Sequence, residues 1–198
     1  MDQPKNGQII RNFKNVFICL NYDLFEISDK MRSVDNYSEF DDFEFLVMSL
    51  EDRRFLRHCG YDLKACLREV FKLLSKRKHG GASTIDMQMV RTITNFRDLT
   101  FYRKLYEIIL SVLVNYKFTK KQIIRCYLKN AFFGTRLYGY EVAARKTFNK
   151  QFEALDYYEK AFLAAMLLRP KPLMENEKWR QSVIIRAMYA QRMRVFVK

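Results

Sequence analysis

Apolar residues recur at three- and four-residue spacing through most of this chain, and only six glycines and three prolines interrupt its 198 residues. That period buries one face of a helix, whereas a half-buried strand would need strict alternation. From Asp62 to Lys78 the residues Leu63, Leu67, Val70, Phe71 and Leu74 share a helical face, with Asp62 as N-cap and Gly80-Gly81 as the stop. Ser83 sits where a cap would open a second helix through Val90 and Ile93. Thr100 precedes another carrying Leu105, Ile108, Ile109, Val112 and Leu113, and Thr119 and Asp156 make similar starts. Ile9 to Leu24 fits helix or strand, and Ser28 to Tyr37 reads as a polar connector. Residues 1–39 are expected to form an N-terminal extension packed on or beside a body spanning 40–198.

A chain of this length with 49% hydrophobic residues can bury one real core. Lys and Arg number 36 against 22 Asp and Glu, a formal net charge of +14, which points to an anionic partner such as a nucleic acid, an acidic membrane surface or a phosphorylated substrate. No helix-turn-helix, zinc-finger or RNA-binding motif is present, so a nucleic-acid partner is not expected. Cys19, Cys59, Cys66 and Cys126 have neither C-x-x-C spacing nor a histidine cluster, and read as small buried residues or free thiols. The apolar stretch Val16 to Leu20 is too short for a signal peptide. Ile108 to Val114, interrupted by Ser111, falls well short of the roughly 20 apolar residues of a spanning helix.

Four segments carry chemistry. Glu51 to Gly60 has the spacing E-D-x-x-F-x-x-H-x-G, Gly81 to Gln88 reads G-A-S-T-I-D-M-Q, and Arg103 to Glu107 reads R-K-x-x-E. Gln122 to Asn130 follows, then Phe133-Gly134 and Tyr138 to Ala144. In this order they resemble the signature motifs of the bacterial peptidoglycan glycosyltransferases, glycosyltransferase family 51, over about residues 40 to 195. The resemblance implies an all-α, lysozyme-like fold for the catalytic domain over 40–198. It also implies an inverting enzyme that polymerises lipid-linked disaccharide pyrophosphate into glycan strands and releases polyprenyl pyrophosphate, with Glu51 as catalytic base. Three positions depart from the family pattern: Met87 replaces the first of two glutamines, Lys129 stands where Asn follows Tyr-Leu, and the final P-x-x-Y-x-P is reduced to Arg169-Pro170-Lys171-Pro172.

The chemistry of such a transfer asks for the same residue types. A base must take the proton from an acceptor hydroxyl, and cations must stabilise the departing pyrophosphate. A carboxylate base needs its pKa raised by burial or by a neighbouring carboxylate. Asp52 is adjacent, but on a continuing helix it points about 100° away, leaving Phe55 at i+4 as the apolar neighbour of Glu51. Arg91, Arg103 and Lys104 supply charge for pyrophosphate, Arg in bidentate fashion. Ser83 and Thr84 offer a helix cap whose free backbone N–H groups can also receive a phosphate. Gln88 joins them as a substrate-binding residue through the second motif. Glu107, the second catalytic candidate, would orient the basic partners of the leaving group or a divalent ion, magnesium or manganese; no metal ligand set is assigned.

Each pattern has a plainer reading. Glu51 and Asp52 before two arginines fit a solvated helix face, and Arg103 with Glu107 fits a surface i,i+4 ion pair. His58 is expected to fix the turn before Gly60 by hydrogen bonding. Ser75 to Lys78 matches S-x-x-K formally but lacks S-D-N and K-T-G partners and reads as a basic helix end, so no transpeptidase unit is expected. A divergent, non-catalytic relative that binds lipid-linked precursor or a cell-wall synthase is the alternative, favoured by Met87 and Lys129. The expected partners are a lipid-linked sugar pyrophosphate, an anionic membrane surface and a membrane-anchored cell-wall synthesis protein. The expected location is peripheral to the cytoplasmic membrane, on its outer face by family resemblance.

Overall fold

The structure, a computed structural model, describes residues 15–65, 71, 83–98 and 100–197. It is built from helices α1 (Val16–Arg32), α2 (Asp42–Glu51), α3 (Ile85–Thr94), α4 (Phe101–Lys117), α5 (Lys120–Asn130), α6 (Tyr140–Phe148), α7 (Tyr157–Leu168) and α8 (Glu177–Met193). A two-stranded antiparallel hairpin, β1 (Phe132–Gly134) with β2 (Leu137–Tyr138), joins α5 to α6 and pairs Phe132 with Tyr138. The fold is all-α and lysozyme-like, as the motifs imply.

Local chemistry sets most helix starts. Asp41 with Glu44, Thr119 with Gln122 and Asp156 with Glu159 form reciprocal capping boxes, and Thr100 and Asn176 cap with one side chain each. Each such cap stabilises its helix by about 1 kcal/mol. At the second motif the cap is Thr84, one residue beyond the expected Ser83, because only the Thr84 hydroxyl accepts from an α3 amide, that of Met87. Asp62 accepts from the N–H groups of Lys64 and Ala65 at 2.9 and 3.3 Å, opening a helical turn at 63–65. Most of the helix expected to Lys78, with Cys66, the run Ser75 to Lys78 and the Gly80-Gly81 stop, lies outside the described residues.

The stretch that fitted helix or strand is helical from Val16 onward, and α1 runs into the expected connector as far as Arg32. It continues because Ser28 satisfies its hydroxyl on the Leu24 carbonyl (2.6 Å), while Ile27 and Met31 bury themselves in the core. The connector that remains is held by Arg125, whose guanidinium donates to the carbonyls of Ser38 and Glu39 and, at 2.6 Å, to Glu44.

Two groups of helices share one core. α2 packs on α7 and α8, and α3 packs between α4 and α5 with α1 laid across all three. Leu46, Val47, Ile85, Val90, Leu110, Ile124 and Leu163 are fully buried, each worth roughly 1.5–3 kcal/mol of transfer from water. The C-terminal end of α2 and one face of α3 therefore meet between the groups, where the first and second motifs lie. Among the described residues no helix is long and apolar enough to cross a membrane.

Candidate active site

α2 stops at Glu51. Asp52 leaves the helical region (φ −159°, ψ 83°) while its N–H closes the last turn on the Met48 carbonyl at 2.9 Å. Phe55 is therefore not one turn further along the same helix; it sits in a short 3-10 turn, fully buried, with the Lys120 ammonium 4.3 Å from its ring centre. The expected i+4 contact with Glu51 is replaced by a core position. The break in the helix follows from the Asp52 carboxylate, which accepts from the Arg54 amide (3.2 Å), His58 Nε2 (2.8 Å) and the Ile85 amide (3.3 Å). One side chain thus ties the end of α2 to the first turn of α3, satisfying an N–H that a helix start leaves open.

His58 also fixes the turn as expected: its Nδ1 accepts from the Gly60 amide at 3.2 Å, which leaves Nε2 as the donor to Asp52. Gly60 has φ +103°, and a Cβ there would lie 2.6 Å from the Ser111 carbonyl oxygen, so only glycine brings this turn against α4. The Gly60 carbonyl in turn accepts from the Thr84 hydroxyl at 2.7 Å. Thr84 is buried and its hydroxyl is engaged on both sides, by Gly60 and by the Met87 amide.

Glu51 is set into the junction with part of its surface on a cleft of about 480 Å³. Burial raises its pKa above the ordinary glutamate value, a hydrogen bond from Gln88 pulls it down, and the nearby Asp52 charge adds to the rise. Gln88 Nε2 donates to Glu51 Oε2 at 2.8 Å. The same cleft is lined by Ser83, by Arg53 and Arg57, and by Phe196 from the C-terminal turn. Sequence reading missed Phe196, which lies 145 positions from Glu51 and outside every motif; Arg194, resting on the rings of Phe45 and Tyr157, anchors its turn beside α2.

A second constellation lies one helical turn along α3. Arg91 grips Glu107 with Nε and Nη2 at 2.7 and 3.0 Å, Arg103 Nη1 lies 3.4 Å and Lys104 Nζ 3.8 Å from the same carboxylate. Lys104 also donates to the Ser83 hydroxyl at 2.9 Å, which brings the second and third motifs together. Glu107 is fully buried, so it is no surface ion pair. Three cations, Arg91, Arg103 and Lys104, converge on this one carboxylate at a partly exposed edge. Gln88 and Arg91 stand at i and i+3 on one face of α3, so this helix touches Glu51 with one residue and Glu107 with the next.

Asp52, His58 and Asp86 place one donor atom each within 4.8 Å of one another, the spacing of a metal site. The donor set does not fit a resident ion. Asp86 already accepts from Lys120 Nζ at 2.9 and 3.2 Å and from Asn115 at 2.6 Å, and the ring nitrogens of His58 are committed to Asp52 and Gly60. A cation entering there would have to displace the Lys120 ammonium from Asp86 and break the hydrogen bonds of the His58 ring.

The sequence profile of the transglycosylase family matches residues 24–194. Penicillin-binding protein 1A of Rickettsia typhi is 35% identical over 151 residues, covering 72% of this chain and 19% of that protein. Penicillin-binding protein 1A of Clostridium tetani is 33% identical over 173 residues, 84% of this chain and 21% of that protein. Penicillin-binding protein 1F of Bacillus subtilis is 33% identical over 135 residues, 66% and 19% of the two chains. The chain thus spans about a fifth of the length of these relatives. A match that runs from within α1 to the end of α8 takes in nearly the whole described fold, and the chain belongs to the transglycosylase family.

Proposed function

We propose that this chain is a peptidoglycan glycosyltransferase that extends glycan strands from a lipid-linked disaccharide pyrophosphate, with inversion. The observation that carries the reading is the pairing, across α3, of a buried carboxylate on the cleft, Glu51, with a cluster of three cations gathered on Glu107. Glu51 takes the proton from the acceptor hydroxyl, and the freed oxygen forms a bond to the anomeric carbon. The bond from that carbon to the pyrophosphate oxygen breaks in the same displacement, and the electron pair leaves with the pyrophosphate. Arg91, Arg103 and Lys104 receive that anion, and Glu107 holds the three cations in register. Ser83 and Gln88 contact substrate from the α3 side. Asp52, Phe55 and Thr84 shape the site from behind.

The family's substrate class and the net charge of +14 support a location at an anionic membrane surface, the outer face of the cytoplasmic membrane, beside a membrane-anchored synthesis protein. The division into an extension over 1–39 and a catalytic domain over 40–198 belongs to the same reading. The non-catalytic alternative rested on Met87 and Lys129. Met87 is fully buried on α3, and Lys129 donates to the Ser33 carbonyl at 2.9 Å, so both positions have a structural use that is compatible with catalysis. The test is incubation of the protein with labelled lipid-linked disaccharide pyrophosphate beside Glu51→Gln. Polymer from the unaltered chain and none from the variant is the expected result. Equal polymer from both removes Glu51 as base, and donor binding without polymer from either sinks the catalytic reading.

A further inference from the structure

We propose that Tyr127 is a positioning residue for Glu51, acting through Gln88: its hydroxyl sets which end of the Gln88 amide faces the carboxylate. Tyr127 lies on α5, is 5% exposed, and donates its hydroxyl hydrogen to Gln88 Oε1 at 2.7 Å. Gln88 Nε2 donates to Glu51 Oε2 at 2.8 Å. The three side chains form one directional chain from α5 through α3 to the end of α2.

An amide has one donor end and one acceptor end, and rotation about its last bond exchanges them. With the acceptor end committed to Tyr127, only the N–H can face Glu51, and that hydrogen bond favours the ionised carboxylate. Reversed, the amide would set an oxygen against a carboxylate oxygen with no proton between them, and the carboxyl would have to take one up. A base protonated in that way accepts nothing from an acceptor hydroxyl. Burial drives the Tyr127 phenol well above its ordinary pKa, so it keeps its proton and remains a donor wherever Glu51 is ionised. The neighbouring position of the motif, where the family carries a second glutamine, is Met87, buried in the core. Gln88 is therefore the amide that Tyr127 must orient.

The inference rests on Glu51 being the base, and the experiment separates the two. The pH dependence of kcat and of KM is measured on the full chain with lipid-linked disaccharide pyrophosphate for the unaltered protein, Tyr127→Phe, Tyr127→Met, Gln88→Met and Glu51→Gln. Two substitutions that remove the hydroxyl with different packing guard against one of them failing to fold. The expected result for the two Tyr127 variants is a fall of roughly tenfold in kcat at neutral pH, the scale of one lost hydrogen bond to a charged group, with KM nearly unchanged. The acid limb of the kcat profile moves to higher pH in the Tyr127 variants and in Gln88→Met. An acid limb that stays in place, or a loss confined to KM, overturns the role of Tyr127. Full activity in Glu51→Gln would overturn the base assignment instead.

Discussion

Arg91 closes Nε and Nη2 on the two oxygens of Glu107, at 2.7 and 3.0 Å, across the α3–α4 contact. The pairing holds the Arg91 guanidinium in its charged form, its pKa raised first by that hydrogen bond. Arg103 and Lys104 share the same buried carboxylate. Replacing it by an amide of equal shape removes the negative charge that the three cations share, and losing one partner of a buried pair costs about 3–5 kcal/mol. Arg91 and Lys104 are partly solvated, so Glu107→Gln is expected at the low end of that range. Urea denaturation at low and high salt reads it: part of the loss should return as ionic strength rises and screens the repulsion. A variant as stable as the unaltered chain would contradict the arrangement.

Glu51 carries a stability cost that its variant should release. Its folded pKa is raised, chiefly by burial. Ionisation is then harder in the folded than in the unfolded chain, so its contribution to stability is greatest in acid and is lost as pH rises through the folded value. Glu51→Gln keeps the shape and an acceptor for Gln88 without the charge. The variant should exceed the unaltered chain by about 0.5–2 kcal/mol at neutral pH, the usual scale for relieving a functional site. Thermal melts from acid to neutral pH should show the gap close as pH falls. A gap that is constant with pH would mean that the gain comes from packing.

How far the sequence discloses this arrangement depends on the distance over which each determinant acts. The caps at Thr100, Thr119 and Asp156 are legible because a hydroxyl or carboxylate three residues ahead of an amide is local chemistry. Ser83 and Thr84 both offer a hydroxyl, and the choice of Thr84 depends on the Gly60 carbonyl 24 positions away. The end of α2 was not legible, since it is set by the bonds of Asp52 to His58 and Ile85. Arg103 and Glu107 are visible at i and i+4, whereas the stronger grip of Arg91 crosses between helices. Phe196 reaches the cleft only because α8 packs along α2, a tertiary fact without a local signal.

Gly60 is where backbone conformation and packing coincide. Alanine there meets a φ of +103° and the Ser111 carbonyl oxygen at 2.6 Å, so either the turn or α4 must move. The same turn positions the His58 ring and receives the Thr84 hydroxyl. Gly60→Ala should therefore lower stability by about 1–3 kcal/mol through strain. It should also reduce turnover, because Asp52 and the start of α3 lose their shared anchor. Activity measured well below the melting temperature of the variant separates the two effects: full turnover in the folded population would mean that the turn is structural alone.

Lys120 neutralises Asp86, which is completely buried on α3, and it does so from the first turn of α5. The ammonium lies 2.9 Å from one carboxylate oxygen and 4.3 Å from the centre of the Phe55 ring, so it is held by a charge on one side and an aromatic face on the other. Lys120→Met keeps the stem and removes the charge, leaving a carboxylate with Asn115 as its near donor. The expected cost is about 3–5 kcal/mol. Asp86→Asn in the same chain should recover more than half of it, because no charge is then left unpaired. A double-mutant cycle in urea gives the coupling directly. The cycle also bears on metal binding: magnesium or manganese should leave the melting temperature of the unaltered chain in place, because Asp86 and both His58 ring nitrogens are already hydrogen-bonded. Stabilisation of the unaltered chain by either ion through Asp52, His58 and Asp86 would show that Asp86 gives up Lys120 to the metal, and the site would have to be reassigned as a metal centre.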